Sequence, residues 1–419
     1  MDKPQVSKYA LAFVIITICI DMVGLGIIIP VAPKFISQLA HVGLSDAARY
    51  GGWLAFVYAL MQFLCAPLIG NLSDRFGRRP VLILALVAIG IDYLITGLAP
   101  TIGWLFLART LSGAAGASYT TANAYIADVT PPEKRAGTFG LIGAAFSFGF
   151  IVGPVLGGFL GEINVRLPFL VAAGLAFANA LFGLAVLRES LVKENRRKFE
   201  LWRANPLGAF MALRRFPTVL GLCGVLVLMR FAHDANPSTW TYYTMLKFHW
   251  TTAQVGWSLM AVGVALMIVS GWLTRALIPR IGEVKAVYLG LAAGIIAFLG
   301  YALSSEGWML YGWIAVFALL GLIMPAMNAI MSKEVGPTEQ GELQGAVTSV
   351  AALTSIVAPV AMSYLFAYFT GSSAPIYFPG ASFVAASLCL VLAAIVFAWV
   401  KPHRVSEPDV SPGTAEQQT

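Results

Sequence analysis

Asp21, Asp92 and Arg109 are ionisable side chains set inside apolar runs. Hydrocarbon is costly for such groups unless they are paired, hydrated or used. Removing a carboxyl from water disfavours its charged form, which suits Asp21 and Asp92 to loading and releasing a proton near neutral pH. One charge crossing 100 mV releases about 2.3 kcal/mol, so two carboxylates and an arginine could couple proton entry to a conformational step. Two structural readings stand beside this one. Arg109 could simply pair with Asp21 or Asp92, and Asp92, nearer the end of its run, could be a hydrated structural residue. A second group lies at Met229-Arg230-Phe-Ala-His233-Asp234-Ala-Asn236-Pro237, where i,i+3 and i,i+4 spacing gathers Arg230, His233 and Asp234 on one helical face. Imidazole titrates near neutrality, so this is either a proton or substrate site or a salt-bridged cluster at a helix end.

The elements that position these residues must cross a bilayer. Of 419 residues, 58% are hydrophobic and 11% charged, and mean hydropathy is +0.79, whereas soluble domains carry about 25% charged residues. A spanning helix needs about 20 apolar residues. That length predicts spans at 9–30, 51–71, 81–99, 103–125, 137–161 and 167–187, then at 217–237, 251–274, 284–303, 308–331, 342–367 and 376–400. The first run is of full spanning length, contains Asp21 and lacks a small-x-small cleavage site, so it reads as a retained helix. Cys19, Cys65, Cys223 and Cys389 each sit in an apolar run without metal-ligand spacing and read as small core residues.

Charge sets the orientation. With both termini cytoplasmic, cytoplasmic segments hold 21 of the 27 lysines and arginines, as the positive-inside rule requires. The net charge of +7 is therefore topological, and no nucleic-acid partner is implied. Residues 188–216 form a polar, basic connector containing Arg196-Arg197-Lys198, and residues 401–419 a Pro, Ser, Glu and Gln-rich tail expected to be disordered. A shift of 205 residues superposes Gly51 on Gly256, Arg75-Phe-Gly77 on Arg280-Ile-Gly282 and Asn123 on Asn328. It also places Pro132 on Pro337, Gly140 on Gly345 and Pro154 on Pro359. The expected architecture is an all-α membrane protein with twelve transmembrane helices in two six-helix halves, 1–187 and 217–400. Such a repeat puts the substrate site between the halves near the bilayer midplane and makes alternating access a rocking of one half on the other.

The loop after the second span reads Gly70-Asn-Leu-Ser-Asp74-Arg75-Phe-Gly77-Arg78-Arg79-Pro80. A merely basic turn accounts for the arginines but not for Asp74 or the paired glycines. The loop resembles the cytoplasmic signature of the major facilitator superfamily, in which the Asp and Arg form a gate between the halves that holds the outward-open state. The resemblance makes Gly70, Asp74, Arg75, Gly77, Arg78 and Arg79 gating residues; Pro279 replaces the Asp in the second copy. Gly149-Phe-Ile-Val-Gly153-Pro154-Val-Leu-Gly157-Gly158 allows close helix approach and a kink. It resembles the motif of the drug/proton antiporter branch, while its second-half copy has Thr354, Ala358 and Ala361 around Pro359. Leu105-Phe-Leu-Ala-Arg109-Thr-Leu-Ser-Gly113 resembles a motif whose arginine is implicated in proton transfer.

Within that branch, several stretches resemble tetracycline/proton antiporters: Asp21 to Pro30, Tyr58-Ala-Leu-Met-Gln62, Asp92-Tyr-Leu, Gly157 to Ile163, Phe248-His-Trp and Ser305-Glu-Gly-Trp308. The resemblance implies proton-coupled export of a small amphipathic, tetracycline-like molecule and makes Gln62 a polar substrate contact. Read from the residues alone, Gln62 is helix-packing glue. Tyr119, Asn123, Trp240 and Asn328 are further candidate cavity residues. One departure matters. Tetracycline exporters carry an acidic residue in the middle of the ninth span, and Gly290-Leu-Ala-Ala-Gly294-Ile-Ile-Ala has none, which counts against tetracycline itself. A same-fold symporter or importer, or a lipid or sugar transporter, is the alternative. Enzymatic chemistry has no support: there is no HExxH, GxSxG or Walker loop, and four histidines lack ligand spacing. A ligand sensor stays open, although no signalling domain follows the last span. The expected partners are a small molecule, protons and the bilayer; no cofactor or metal is expected, and the chain is expected to be a monomer of the bacterial inner membrane.

Overall fold

The computed structural model describes residues 8–117, 119–130, 135–191, 194, 196, 217–336 and 339–400. Most of the connector and the whole tail lie outside these residues. Among the described residues ten helices are long and apolar enough to cross a bilayer, and eleven when the bent pair Ile15–Ile28 and Ala32–Ala40 is one span. The remaining span is carried by Ile102–Gly116 and Tyr119–Val129, each too short to cross alone. Among the described residues no strand occurs. Among the described residues the molecule is an all-α, multi-pass membrane protein, and these helices fit the twelve expected spans.

Several spans run beyond the apolar stretches that announce them. The second is Leu44–Phe76, the eighth continues from Thr252 to Ile281, and the eleventh is Gln340–Thr370. Polar ends can extend outside hydrocarbon without losing helical hydrogen bonds, so hydropathy marks only the part that must be apolar. The seventh span differs most from expectation. Pro217–His233 and Ala235–Phe248 form one crossing that meets at Asp234. Pro237 lies in the first turn of the later helix, where proline's missing N–H costs nothing, so it does not terminate the span. Asp234 consequently sits near the middle of the crossing rather than at its end.

The halves meet through two equivalent seams. In the first, the fifth span packs on the eighth; in the second, the second span packs on the eleventh. A Cβ on Gly52 would lie 3.2 Å from the Pro359 carbonyl oxygen, and one on Gly256 would lie 3.3 Å from the Val155 Cα and closer still to the Pro154 carbonyl. Pro154 and Pro359 are superposed by the 205-residue shift and each meets a glycine of the other half, so the proline repeat reappears in the packing. The glycines are offset by one residue, since Gly51, the mate of Gly256, faces Tyr242 and its neighbour Gly52 meets Pro359. Thr252 Oγ1 donates to the Gly158 carbonyl at 2.9 Å, Ser45 Oγ to the Thr370 carbonyl at 3.1 Å, and Trp53 Nε1 to Tyr364 Oη at 2.9 Å. These contacts all lie toward the face opposite the Gly70–Pro80 loop. We call the loop's face the basic side. There, each ion pair found among the described residues joins side chains of the same half.

The antiporter-like glycines make the first seam possible. Gly149, Gly153 and Gly157 line the fifth span where it crosses the first, and a Cβ on Gly153 would lie 2.7 Å from the Val23 carbonyl oxygen. Gly158 turns instead toward the eighth span, with the Thr252 carbonyl oxygen 2.6 Å from its would-be Cβ. One glycine run thus serves both a packing seam within a half and the contact between halves. Small residues allow such backbone approach in lipid, where packing rather than the hydrophobic effect holds helices together.

Candidate functional site

A cavity of about 510 Å³ opens within the first half, and Asp21, Gln62, Asp92, Arg109 and Asn123 all line it. Leu25, Ile89 and Phe146 supply apolar wall. The first, second, third and fourth spans each contribute a polar group, because each carries that group on the face turned away from lipid. Arg109 Nη2 donates to Asp92 Oδ2 at 2.6 Å, and Asp92 is fully buried. The pairing alternative for Arg109 is therefore met with Asp92, and the hydrated alternative for Asp92 is not. A buried carboxylate held this way depends on its partner, since losing either member strands the other's charge.

Asp21 is arranged differently. Its Oδ1 accepts from Asn179 Nδ2 at 3.0 Å, and the same amide nitrogen lies 3.2 Å from the Thr17 carbonyl. Among the described residues Asp21 takes part in no ion pair. A carboxylate with a neutral donor and no counter-ion is the group in this cavity whose charge is least compensated. Asn179, fully buried on the sixth span, was missed by sequence reading. The available signal was a lone amide in Ala176-Phe-Ala-Asn179-Ala, which needs a partner when buried.

Gln62 combines both of its readings. It lines the cavity, and its Nε2 donates to the Gly116 carbonyl of the fourth span at 3.3 Å. The Tyr119 side chain lies outside the described residues. Trp240 is corrected: it is 1% exposed, donates through Nε1 to Ser258 Oγ at 3.0 Å and packs against Tyr301 and Phe383. It belongs to the aromatic core of the second half rather than to a cavity. Indole is amphipathic, and an internal hydroxyl satisfies its N–H as well as water would. Asn328 is half-buried on Ile323–Lys333 and does not line the first-half cavity.

Among the described residues, the helix-face cluster of the seventh span forms no ion pair. Arg230 and Asp234 are linked through the backbone, Asp234 N–H to the Arg230 carbonyl at 3.0 Å. Asp234 Oδ2 is buried without a hydrogen-bond partner among those residues, and the His233 ring stacks over Phe317 at 6.3 Å. The salt-bridged reading is thus overturned, and the expected position at a helix end with it. In the ninth span the stretch that lacks an acidic residue is tightly packed, Gly290 against Ile323 and Gly294 against Leu320 and Leu390. That helix face belongs to the core.

The basic-side loop gathers charge around Arg78. Its Nη1 bonds Asp74 and donates to Ser73 Oγ at 2.7 Å, while Nε reaches Asp128 Oδ2 at 3.5 Å. Arg75 lies over its neighbour Phe76 and is exposed. Gly77 has φ +105° and its repeat mate Gly282 φ +82°, a region that L side chains avoid. Gly70 has open space around it and no such φ. Gly77→Ala is therefore expected to lower stability by at least about 1 kcal/mol, and Gly70→Ala to have little effect. Thermal unfolding of the two variants in detergent compares them directly.

Two coupled halves, a polar cavity walled by hydrocarbon-spanning helices and a charged loop beside it define the class of membrane transporters. The chain belongs to the Major Facilitator Superfamily, whose sequence profile matches residues 14–359. It is 38% identical over 361 residues to the class C tetracycline resistance protein of Escherichia coli, covering 86% of this chain and 90% of that one. The class B protein of Escherichia coli is 33% identical, with 85% and 88% covered. The multidrug resistance protein 2 of Bacillus subtilis (strain 168) is 28% identical, with 87% and 91% covered. Among solved structures, the nucleoside transporter NupG superposes with a TM-score of 0.76 at 12% identity, covering 94% of this chain and 100% of that one. The human organic anion transporter MFSD10 gives 0.69 at 21% identity, with 94% and 100% covered.

Proposed function

We propose that this chain is a proton-coupled antiporter of the bacterial inner membrane that exports a small amphipathic molecule by alternating access. The observation that carries the proposal is the convergence of Asp21 and the Asp92–Arg109 pair on one apolar-walled cavity. Asp21 is the proton carrier. Asp92 and Arg109 form a charge-balanced pair whose strength changes when a proton or solute enters. Gln62 and Asn123 offer hydrogen bonds to solute, and Asp234 is a second carboxylate, unpartnered among the described residues, available to a proton in the other half. The relatives' names, tetracycline resistance and multidrug resistance, support a drug-like solute. Both termini lie on the basic side, residues 188–216 connect halves 1–187 and 217–400, and the chain acts as a monomer without metal or cofactor.

Alternating access follows from the seams. The halves are joined on the face opposite the loop, so the cavity faces the basic side, and the Asp74–Arg78 pair is kept within one half. Closing the basic side would bring that loop against the second half. The test is reconstitution in vesicles with an imposed pH gradient and a panel of solutes that includes tetracycline. At least one amphipathic solute is expected to accumulate against its own gradient, and the gradient's collapse by a protonophore to stop it. Movement of every solute only down its gradient, with or without protonophore, would defeat the proposal.

A further inference from the structure

The turns between the second and third spans and between the eighth and ninth are repeat mates, and the 205-residue shift pairs Gly77 with Gly282, Arg78 with Glu283 and Asp128 with Lys333. Both pairs form ion pairs: Arg78 to Asp128 at 3.5 Å and Glu283 to Lys333 at 2.6 Å. The same two positions are bridged in each half with the charges exchanged. That exchange has a consequence at the helix start. The first backbone N–H groups of a helix lack internal partners and carry positive potential, so an acid there stabilises and a base does not. The ninth span begins with its own acid, Glu283. The third span begins with Arg78 and Arg79, has no acid in its first turn, and its cap residue Gly77 supplies no side chain.

A carboxylate from the connector fills the gap. Glu189 Oε1 accepts from the Arg78 N–H at 2.8 Å and Oε2 from the Arg79 N–H at 3.2 Å. Oε1 also accepts from the Ser190 and Leu191 N–H groups, both at 3.1 Å, and Ser190 Oγ donates to Asp128 Oδ2 at 2.9 Å. Four backbone donors from two distant stretches thus converge on one side chain. We infer that Glu189 is a positioning residue of the basic-side gate: it supplies from the connector the helix-terminal carboxylate that the second half carries in its own chain, and it thereby holds the Gly70–Pro80 loop in the basic-side-open arrangement. The direction follows from the order of contacts. Asp74 must leave Arg78 to reach the second half, and Arg78 is tethered by Asp128 through its side chain and by Glu189 through its backbone. Releasing Glu189 removes part of that restraint, so the closed arrangement gains.

The inference rests on alternating access but on no substrate or proton, so its test is separate from that of the transport activity. Spin labels at Leu141→Cys and Arg275→Cys, on the basic-side ends of the fifth and eighth spans, report closure by electron–electron distance measurement in a chain with its four native cysteines replaced. Glu189→Gln is expected to raise the closed-to-open ratio about fivefold, the size of a charge-assisted helix-terminal bond. Glu189→Asp should restore most of the original ratio, and Ser190→Ala should shift it the same way by a smaller factor. Glu194→Gln, another connector carboxylate, should leave it unchanged. An unchanged ratio in Glu189→Gln, a shift toward the open form, or an equal shift in Glu194→Gln would overturn the inference. If Glu189→Gln does not fold, Ser190→Ala decides: a rise in the closed form supports the latch, and an unchanged distribution removes it.

Discussion

Asparagine in place of Asp21 is expected to abolish gradient-driven accumulation of solute while leaving the protein folded and the cavity able to bind. Asn is nearly isosteric with Asp and keeps an oxygen to accept from Asn179 Nδ2, the 3.0 Å bond that positions this side chain. It cannot take up or lose a proton. Because Asp21 has no ion-pair partner among the described residues, neutralising it leaves no charge stranded, and stability should change by less than about 1 kcal/mol. Coupling should fail outright. A driving force of about 2.3 kcal/mol per 100 mV sustains a concentration ratio of about 50, so the steady-state ratio should fall from that order to unity. Counterflow of solute between equal concentrations, which needs no proton, should survive in Asp21→Asn. Retained uphill accumulation in this variant would move the proton carrier elsewhere, with Asp234 the next carboxylate to neutralise.

Arg109→Ala is expected to be the most destabilising single change in the first half. It would leave Asp92, fully buried, without the guanidinium 2.6 Å away. Breaking a buried pair from one side typically costs about 3–5 kcal/mol. Asp92→Asn should cost less, because the Arg109 side chain is 21% exposed and can be hydrated through the cavity. The double variant Asp92→Asn with Arg109→Gln should recover much of the stability lost in Arg109→Ala while remaining inactive in transport. Thermal unfolding in detergent of Asp92→Asn, Arg109→Gln and their combination gives the coupling energy of the pair, with Arg109→Ala measured beside them. A double variant no more stable than Arg109→Ala would mean that the arginine stabilises by packing its stem and not by balancing Asp92.

Much of the site is legible in the sequence because charge in hydrocarbon is conspicuous. Asp21, Asp92 and Arg109 interrupt apolar runs, and they share one cavity with Gln62 and Asn123. The residues that were missed belong to ordinary surroundings in the chain. Asn179 is a single amide among alanines, and Glu189 is one acid in a polar connector; each matters through a partner more than a hundred residues away. Trp240 is ambiguous in sequence for the opposite reason. An aromatic near the middle of a span is equally at home in a cavity wall or a core, and only its contacts with Ser258, Tyr301 and Phe383 decide between them. The seventh span runs past Pro237, where hydropathy alone ends it, because a proline that opens a helix and one that ends it look alike in sequence.

The amino-acid order by itself determined the bilayer as solvent, the two-half repeat and the conformation of the basic-side turns. Apolar length, the 205-residue register and glycine at positive φ are each local or periodic properties. Tertiary structure alone decided which charges neutralise one another: Arg109 with Asp92 rather than Asp21, Asp74 with Arg78 inside its own half, Glu189 with the start of the third span. Electrostatic partnership depends on distance after packing, and helices that are equally apolar on their lipid faces carry no mark of which neighbour they will meet.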